Sequence, residues 1–573
     1  MACKQYRSWL WLLPVVLTIS SVPRSLPAQT PPLQIPSLPD VQPFPAPIPS
    51  FELLQPLPPP EELLQPSLPT PTPLENAPGG LQTINIERFE VVGSTVFSSE
   101  QLAKVLAPFT NKPISFAELF QARSAITQLY FDNGYITSGA YIPPQTLQGK
   151  VVTITVLEGG LESLQVTGTK YLNSNYIRRR LAIATNTPIN RDRLLQALQL
   201  LQLNPLISNI SAELSAGTRP SQSILAVQVT EAQSTTVQAT IDNGRSPAAG
   251  SFRRNLQLNE GNLLGIGDRV IFAYANTDGS NAIDASYALP LNPRNGTLSL
   301  GYSTNSSSVI EPPFDLLDIS SESRYYDVTL RQPIIQTPSQ ELAVGISASR
   351  LESETSLLDI PFALSIGADE QGRTRISALR FFQEWTGRNT RQVIAARSQF
   401  NLGVGAFDAT VNAEKPDSRF LSWQGQTQWV RRLAPETLLL VRGNVQLSAN
   451  SLLPLEQFSL GGLQNVRGYR QDLLLTDNGA FASAEVRLPV LRVSGWNAVL
   501  QVAPFVDVGS TWNAGRESPE RNSLASLGLG LIWQQSNRFT ARLDYGIPLI
   551  SVSSTERTWQ ENGLYFSVFY NPF

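Results

Sequence analysis

The chain of 573 residues carries 43 basic and 46 acidic side chains, and this near-even balance, a net charge of -3, does not indicate nucleic acid as a partner. It contains no histidine, so the usual proton shuttle and the commonest metal ligand are both missing. The single cysteine, Cys3, lies at the very start, and we therefore predict neither an enzyme nor a metal or other cofactor site.

The first segment has the layout of a secretory signal. Lys4 and Arg7 precede the apolar run 9–19, and Ala28 offers a small residue for cleavage, which predicts a signal peptide over residues 1–28. A single transmembrane anchor is the alternative. Beyond this segment no apolar run is long enough for a membrane-spanning helix, so the mature chain would have to cross a membrane as a closed β-barrel.

Residues 29–80 are rich in proline, and the sequence Glu-Leu-Leu-Gln-Pro occurs at 52–56 and again at 62–66. Proline removes backbone donors and favours extended polyproline segments. We predict a semi-rigid linker here. A docking site for a proline-motif partner, or short helices at the two repeats, are the alternatives.

Two segments that follow, 81–159 and 160–231, share the order strand, helix, helix, strand, strand. In the first we predict strands at 84–91, 134–138 and 151–156 and helices at 98–106, capped by Ser98, and at 116–131. In the second we predict helices at 176–182 and 191–203 and strands at 210–214 and 224–229. Both segments read as small α+β domains that bury one sheet face and leave strand edges available.

From residue 232 to 573 the apolar pattern changes to a period of two, which is typical of strands. Sixteen strands are predicted, at 235–243, 251–260, 269–276, 282–289, 296–303, 323–332, 341–350, 376–385, 392–404, 419–431, 437–449, 479–488, 497–509, 524–535, 538–547 and 563–571. Short turns such as 435–436 alternate with long connections such as 450–478. An even strand number with short turns on one rim and long loops on the other predicts an antiparallel transmembrane β-barrel.

The alternation within single strands supports this prediction. Arg542 and Asp544 share one face, and Leu543 and Tyr545 share the other, as expected if polar side chains line a lumen and apolar ones face lipid. A soluble β-sandwich also alternates, but it would rarely place sixteen strands in one sheet. The aromatic end of the chain, 564–573, resembles the signal by which barrels are inserted into the bacterial outer membrane. Outer-membrane lipid and the barrel-assembly machinery are therefore predicted partners.

One long loop and one strand carry a pair of opposite charges. Arg467 lies in the loop sequence 463–470, and Asp507 lies in the strand sequence 505–509. Asp507 alternates with the lipid-facing Val506 and Val508, so it should point into the lumen. This pair suggests that the loop is tucked inside the barrel.

Several motifs bring a specific resemblance over residues 81–573. The segments 130–137, 143–145 and 156–159, followed by 166–168, are similar to the paired polypeptide-transport-associated (POTRA) domains of the haemolysin-activator-type translocators of two-partner secretion. The loop and strand motifs resemble that family's sixth-loop motif and its partner on the thirteenth strand. The resemblance implies that the loop folds back into the lumen and is held there by Val466, Arg467, Gly468, Tyr469, Phe505, Asp507 and Gly509.

The function implied is export of an unfolded exoprotein, recognised by its N-terminal secretion domain, from periplasm to cell surface through an outer-membrane barrel with periplasmic POTRA domains. The client would add a strand to an exposed sheet edge and occupy an apolar groove. The residues predicted to form this docking surface are Ile210, Ala212, Leu214, Leu195 and Leu198. A helix face of this kind can instead be core. Arg178 to Arg180 could attract an acidic client segment or simply form a solvated face.

Two other functions fit parts of the sequence. A barrel-assembly insertase of the same superfamily would more often carry additional periplasmic domains. A passive diffusion porin would explain sixteen strands but neither the two mixed domains nor the loop and wall motifs. The family's N-terminal plug helix is not expected, because the residues that follow the predicted cleavage site are proline-rich.

Overall fold

A computed structural model describes residues 58–66, 83–146, 150–552 and 558–572. The predicted signal peptide, the linker other than 58–66, and the terminal Phe573 lie outside these residues. Among the described residues, no helix combines the length and the apolar character needed to cross a membrane.

The first α+β segment forms around a helix and two small sheets. The linker before it contributes a short helix, α1 (Pro60–Leu63), and a short strand, β1 (Leu64–Pro66). The elements of the segment itself are, in chain order, β2 (Thr83–Ile86), β3 (Arg88–Val92), α2 (Ser99–Leu106), β4 (Lys112–Ser115), α3 (Phe116–Asp132), β5 (Gly139–Tyr141) and β6 (Val151–Leu157). Ser98 caps α2 and shares a capping box with Gln101, as predicted for that cap. The strand predicted at 134–138 is wrong, because those residues form the turn that leads into β5.

The second segment packs two helices on one sheet. Its elements are β7 (Gly160–Thr167), α4 (Ser174–Ala182), α5 (Arg191–Gln202), β8 (Ile207–Ala216) and β9 (Gln222–Glu231). The sheet order is β1-β8-β9-β7, so the linker strand β1 forms its edge. Leu64 is paired with Ala212 in parallel register, and both Leu63 and Leu64 are buried in the core of this segment.

This pairing corrects one prediction. The edge of β8 was expected to be available, but part of the linker occupies it over residues 212–214. The reason is that the second Glu-Leu-Leu-Gln repeat supplies two leucines, which fill the apolar space beside α5, and a short extended stretch that pairs with the sheet.

Sixteen strands close into an antiparallel barrel, which confirms the predicted fold. They are β10 (Thr235–Asp242), β11 (Arg253–Glu260), β12 (Arg269–Asn276), β13 (Ser280–Pro290), β14 (Thr297–Ser308), β15 (Ser320–Gln336), β16 (Gln340–Leu357), β18 (Arg373–Arg388), β19 (Gln392–Val404), β20 (Leu421–Ala434), β21 (Thr437–Ser448), β24 (Asn478–Val493), β25 (Ala498–Trp512), β26 (Ser523–Gln535), β27 (Phe539–Pro548) and β28 (Leu564–Tyr570). The first strand, β10, pairs with the last, β28, to close the barrel. Three short strands lie in the long connections, namely β17 (Ile360–Pro361), β22 (Phe458–Leu460) and β23 (Leu474–Thr476).

Exposure along the strands follows the predicted alternation. Leu543 and Tyr545 are 45% and 50% exposed on the outer face, whereas Asp544 between them is fully buried on the inner face. Hydrocarbon selects apolar side chains outside, and the polar lumen selects hydrogen-bonding and charged groups inside. The connection 449–477 between β21 and β24, called loop 6 below, is the sixth on the long-loop rim.

The second α+β segment contacts the short turns of the barrel. Arg180 of α4 donates from Nε and Nη2 to Oδ1 of Asn295, at 3.1 and 2.9 Å, in the turn between β13 and β14. Its guanidinium also lies 3.4 Å from the centre of the Tyr176 ring. Arg180 is therefore committed to holding this segment against the barrel, and for this residue the prediction of an acidic client contact is wrong.

Candidate functional site

Loop 6 enters the lumen as a small hairpin made by β22 and β23. Phe458, Leu460 and Val466 of the loop pack against the wall residues Phe481 and Leu524, and this apolar cluster removes the hairpin from water. The wall makes room for it. A Cβ atom on Gly509 of β25 would lie 2.5 Å from a methyl carbon of Leu460, so only glycine fits there without a shift.

The tip of the loop carries Arg467, which is 1% exposed. Its Nε and Nη2 donate to the two carboxylate oxygens of Asp507 at 2.8 and 2.9 Å, and its backbone N–H donates to the same carboxylate at 3.2 Å. The guanidinium carbon lies 3.4 Å from the centre of the Phe505 ring. The structure thus brings together the predicted loop cation and wall carboxylate in a bidentate, ring-stacked contact, a geometry that only the planar arginine fork allows.

Two further wall carboxylates surround this pair. Nη1 of Arg467 donates to Oε2 of Glu485 at 2.8 Å and lies 3.7 Å from Oδ1 of Asp544. Arg542 bridges Glu485 and Asp544, and Arg487 donates to Glu485 at 2.8 Å. Three guanidinium groups thus contact three carboxylates, and Arg442 of the neighbouring strand β21 adds a fourth positive charge that interacts with Asp507 and Glu485. Opposite charges in nearly equal number allow so many charged groups to lie close together in a confined space.

Gly468 and Tyr469 continue the tip onto the last strand of the barrel. Gly468 has φ +96°, a conformation that favours glycine, and its N–H donates to the Tyr565 hydroxyl of β28 at 3.1 Å. The Tyr469 hydroxyl lies 2.7 Å from the carbonyl oxygen of Ala525 and accepts from the N–H of Ile550 at 3.1 Å. The tip is thereby bonded to the last three strands or their connections as well as to Asp507.

The sequence pattern places Arg542 and Asp544 on the inner wall, but it assigns neither these residues nor Glu485 to this site. The alternation along each strand determines that these side chains point inward. Their position along the barrel axis, level with Asp507, depends on the register between strands. The observed register pairs Ser483 with Asp507 and Glu485 with Phe505, and Ser483 donates to Asp507 at 2.6 Å. The aligned inward charges of three nearby strands were the signal available for finding these residues.

The predicted docking residues lie in the second α+β segment, away from the lumen, and they are not exposed. Ile210, Ala212, Leu214 and Leu198 are all buried in the core between β8 and α5, and Leu195 packs against that core. The prediction that these side chains line an apolar groove is therefore wrong, because α5 and β8 pack them against each other in one core.

Chemically, the lumenal site can hold a loop against the barrel wall through paired charges. Each carboxylate contacts at least one guanidinium group, and the described residues contain no cluster of ligands suited to a metal ion. Charge-assisted hydrogen bonds thus join a loop to the strands of the barrel wall.

A closed sixteen-stranded barrel with an α+β segment at its short-turn rim and a loop held in its lumen defines the class of outer-membrane polypeptide transporters. The family model described as haemolysin secretion/activation protein ShlB/FhaC/HecB matches residues 221–532, and that for the ShlB-type POTRA domain matches residues 84–159. The chain belongs to this family of two-partner secretion transporters. It is an outer-membrane protein whose POTRA region lies in the periplasm.

Individual relatives agree with this assignment. The heme/hemopexin transporter protein HuxB of Haemophilus influenzae is 21% identical over 484 residues, covering 79% of this chain and 81% of HuxB. The outer membrane transporter CdiB of Escherichia coli is 23% identical over 480 residues, covering 81% of this chain and 79% of CdiB. The solved structure of CdiB from Escherichia coli superposes with a TM-score of 0.66 at 20% identity, over 88% of this chain and 93% of that chain, and shows the same fold.

Proposed function

We propose that this transporter passes an unfolded exoprotein through its barrel and that loop 6, held by Arg467, defines the resting state of the lumen. The observation that carries this proposal is the contact of Arg467, almost fully buried, with Asp507 and Glu485 of the inner wall. A loop bonded in this way lies across the route of a client and must move or be bypassed during export. The proposed function involves no covalent chemistry.

The proposed division of labour follows the chain. Residues 1–28 act as the signal peptide, 29–80 as the linker, 81–159 and 160–231 as two periplasmic POTRA domains, and 232–573 as the barrel. The contact of Arg180 with Asn295 supports a fixed seat for the second domain at the periplasmic rim.

The N-terminal secretion domain of the exoprotein is proposed to bind as an added strand at β8. In the structure this position is taken by β1, whose Leu64 pairs with Ala212. A client strand would have to replace the linker there, and its own apolar side chains would occupy the places of Leu63 and Leu64. The docking contact is then made by the backbone edge of β8 and not by the buried side chains of that strand.

Two further partners are proposed from the outer face and the last strand. Leucine, valine and aromatic side chains exposed on the outside of the strands, such as Leu531, Leu543 and Tyr545, suit outer-membrane lipid. The aromatic strand β28 suits recognition by the barrel-assembly machinery.

The experiment that tests the function is deletion of residues 81–231 in cells that express a candidate client, such as a large exoprotein encoded by a neighbouring gene. A transporter should lose the client from the medium while its barrel stays in the outer membrane. A diffusion porin would conduct small solutes as before and would show no client to lose. An insertase would instead lower the amounts of other outer-membrane barrels, which immunoblots measure in the same cells.

A further inference from the structure

Loop 6 makes a second charged contact with the barrel wall, at its base. Glu456 ends a single helical turn, Pro454–Glu456, shortly after β21. Arg380 of β18 donates to both of its carboxylate oxygens, from Nη2 to Oε1 at 2.6 Å and from Nη1 to Oε2 at 3.1 Å. The two side chains are 8% and 4% exposed, so this bidentate pair is shielded from water almost as well as the pair at the tip.

Neutral side chains hold both members of the pair in place. Asn401 of β19 accepts from Nη1 of Arg380 at 3.0 Å and thereby orients the guanidinium group. Gln446 of β21 donates to the backbone oxygen of Glu456 at 2.9 Å and to that of Asp477 at 3.1 Å. One wall amide thus ties the descending and the ascending arm of loop 6 beside the ion pair.

Apolar packing adds to the contact at the base. Leu452, Leu453 and Leu455 of the loop are buried against the inward-facing wall residues Leu351, Ile376 and Ala378 and against Phe420, which directly precedes β20. This cluster has different members from the apolar cluster at the tip. The wall contacts are also far apart, because β25 is five places from β18 in the order β18-β19-β20-β21-β24-β25.

We propose that Arg380 and Glu456 form a second anchor of loop 6, which positions the base of the loop independently of the Arg467 contact at the tip. The polarity is reversed, since the loop supplies the carboxylate here and the wall supplies the guanidinium. With this anchor closed, the tip can leave Asp507 while the base keeps its place on the wall. The inference deepens the proposed role of loop 6, but it can be tested without a client.

Charge reversal in purified full-length protein tests the pair directly, with ion conductance across planar bilayers as the measurement. Arg380→Glu or Glu456→Arg each places like charges together, and we expect each to raise the conducting fraction at least about tenfold, because an unpaired buried charge is strongly unfavourable. The double reversal should return conductance towards the wild-type value. Arg331→Ala is the matched control, because this lumenal arginine of β15 bonds Glu341 and Glu384 of the wall.

The result that overturns the proposal is wild-type conductance in both single variants, or a double reversal that conducts as much as they do. Heat-modifiable migration on gels shows which variants hold a folded barrel. If a reversal fails this check, Glu456→Gln replaces it, because the amide keeps the shape and removes the charge. Glu456→Gln must then raise conductance more than Arg331→Ala does, and equal effects would refute the anchor.

Independence from the tip is tested by combining Glu456→Gln with Arg467→Ala. Two independent anchors predict that the fold-changes in conducting fraction multiply, as for sites without shared partners. If Glu456→Gln has no effect once Arg467 is gone, the base contact belongs to the tip site and is not a second anchor.

Discussion

Replacing Arg467 with alanine removes the side chain that bonds the tip of loop 6 to the barrel wall. The change deletes two hydrogen bonds to Asp507, one to Glu485 and the stacking on Phe505. It leaves three wall carboxylates with two guanidinium partners. Breaking one side of a buried ion pair costs about 3–5 kcal/mol, so the ratio of held to released tip should fall by roughly two to four orders of magnitude.

The expected consequence is a folded, membrane-inserted barrel that secretes much less client, because a tip without its wall contact has no defined position along the export path. The assay is client in the medium relative to folded transporter in the outer membrane. Arg467→Lys should be intermediate, since lysine keeps the charge but cannot make the bidentate fork. Arg470→Ala is the control within the same loop, because Arg470 pairs with Glu311 of a connection on the long-loop rim and not with the wall. Wild-type secretion by Arg467→Ala would refute the role assigned to this residue.

Three further perturbations test other contacts. Gly546→Ala should release the tip and raise conductance, because a Cβ atom there would lie 2.7 Å from the Gly468 nitrogen. Gly495→Ala is the control, since open space surrounds that glycine, and it should have no effect. Equal conductance of the two variants would contradict the close fit at Gly546. Leu64→Asp should free the β8 edge and tighten binding of a client secretion-domain fragment in a pull-down titration, whereas the exposed Glu61→Ala should not, and an unchanged affinity would count against strand replacement. Burial raises the pKa of Glu158, but hydrogen bonds from Thr95 and Tyr130 outweigh burial and hold the pKa below its ordinary value. The ionised carboxylate therefore stabilises the fold at any pH above the ordinary pKa, and this contribution is lost as the pH falls through the lowered pKa. Protease resistance of residues 83–159 in the full-length protein should therefore fall below pH of about 4 and depend less on pH in Glu158→Gln, and an identical profile for both proteins would contradict this.

The barrel was predictable because lipid imposes a simple rule on each strand. Leu543 and Tyr545 had to face outward once Arg542 and Asp544 faced inward, and the same rule fixed the inward direction of Asp507. The rule fades beyond the apolar band. The outer ends of β15 and β16 carry polar side chains on both faces, serine and threonine inside and mainly serine and glutamate outside, so the sequence shows no apolar–polar alternation where these strands extend past the predicted limits.

Contacts between distant segments were harder to predict. The strand β1 forms from a proline-rich stretch that has little strand preference of its own, and its pairing with β8 supplies the order. The Arg380 and Glu456 pair depends on the path of loop 6 through the lumen, which no local pattern encodes. In the tip site, by contrast, Arg467 and Asp507 are predictable as opposite charges on a loop and an inward strand face, and a resemblance to a known motif joins these two positions 40 residues apart.

The central claim is that the client travels through the lumen of this barrel. Its most direct test is to place a photo-crosslinking amino acid at Gln399 or at Phe400, neighbours on β19 that face inward and outward respectively, while a client is stalled during export. We predict a crosslink to the client from position 399 and none from position 400. A crosslink from position 400, or the absence of one from position 399 while the client is stalled in the transporter, would contradict the account.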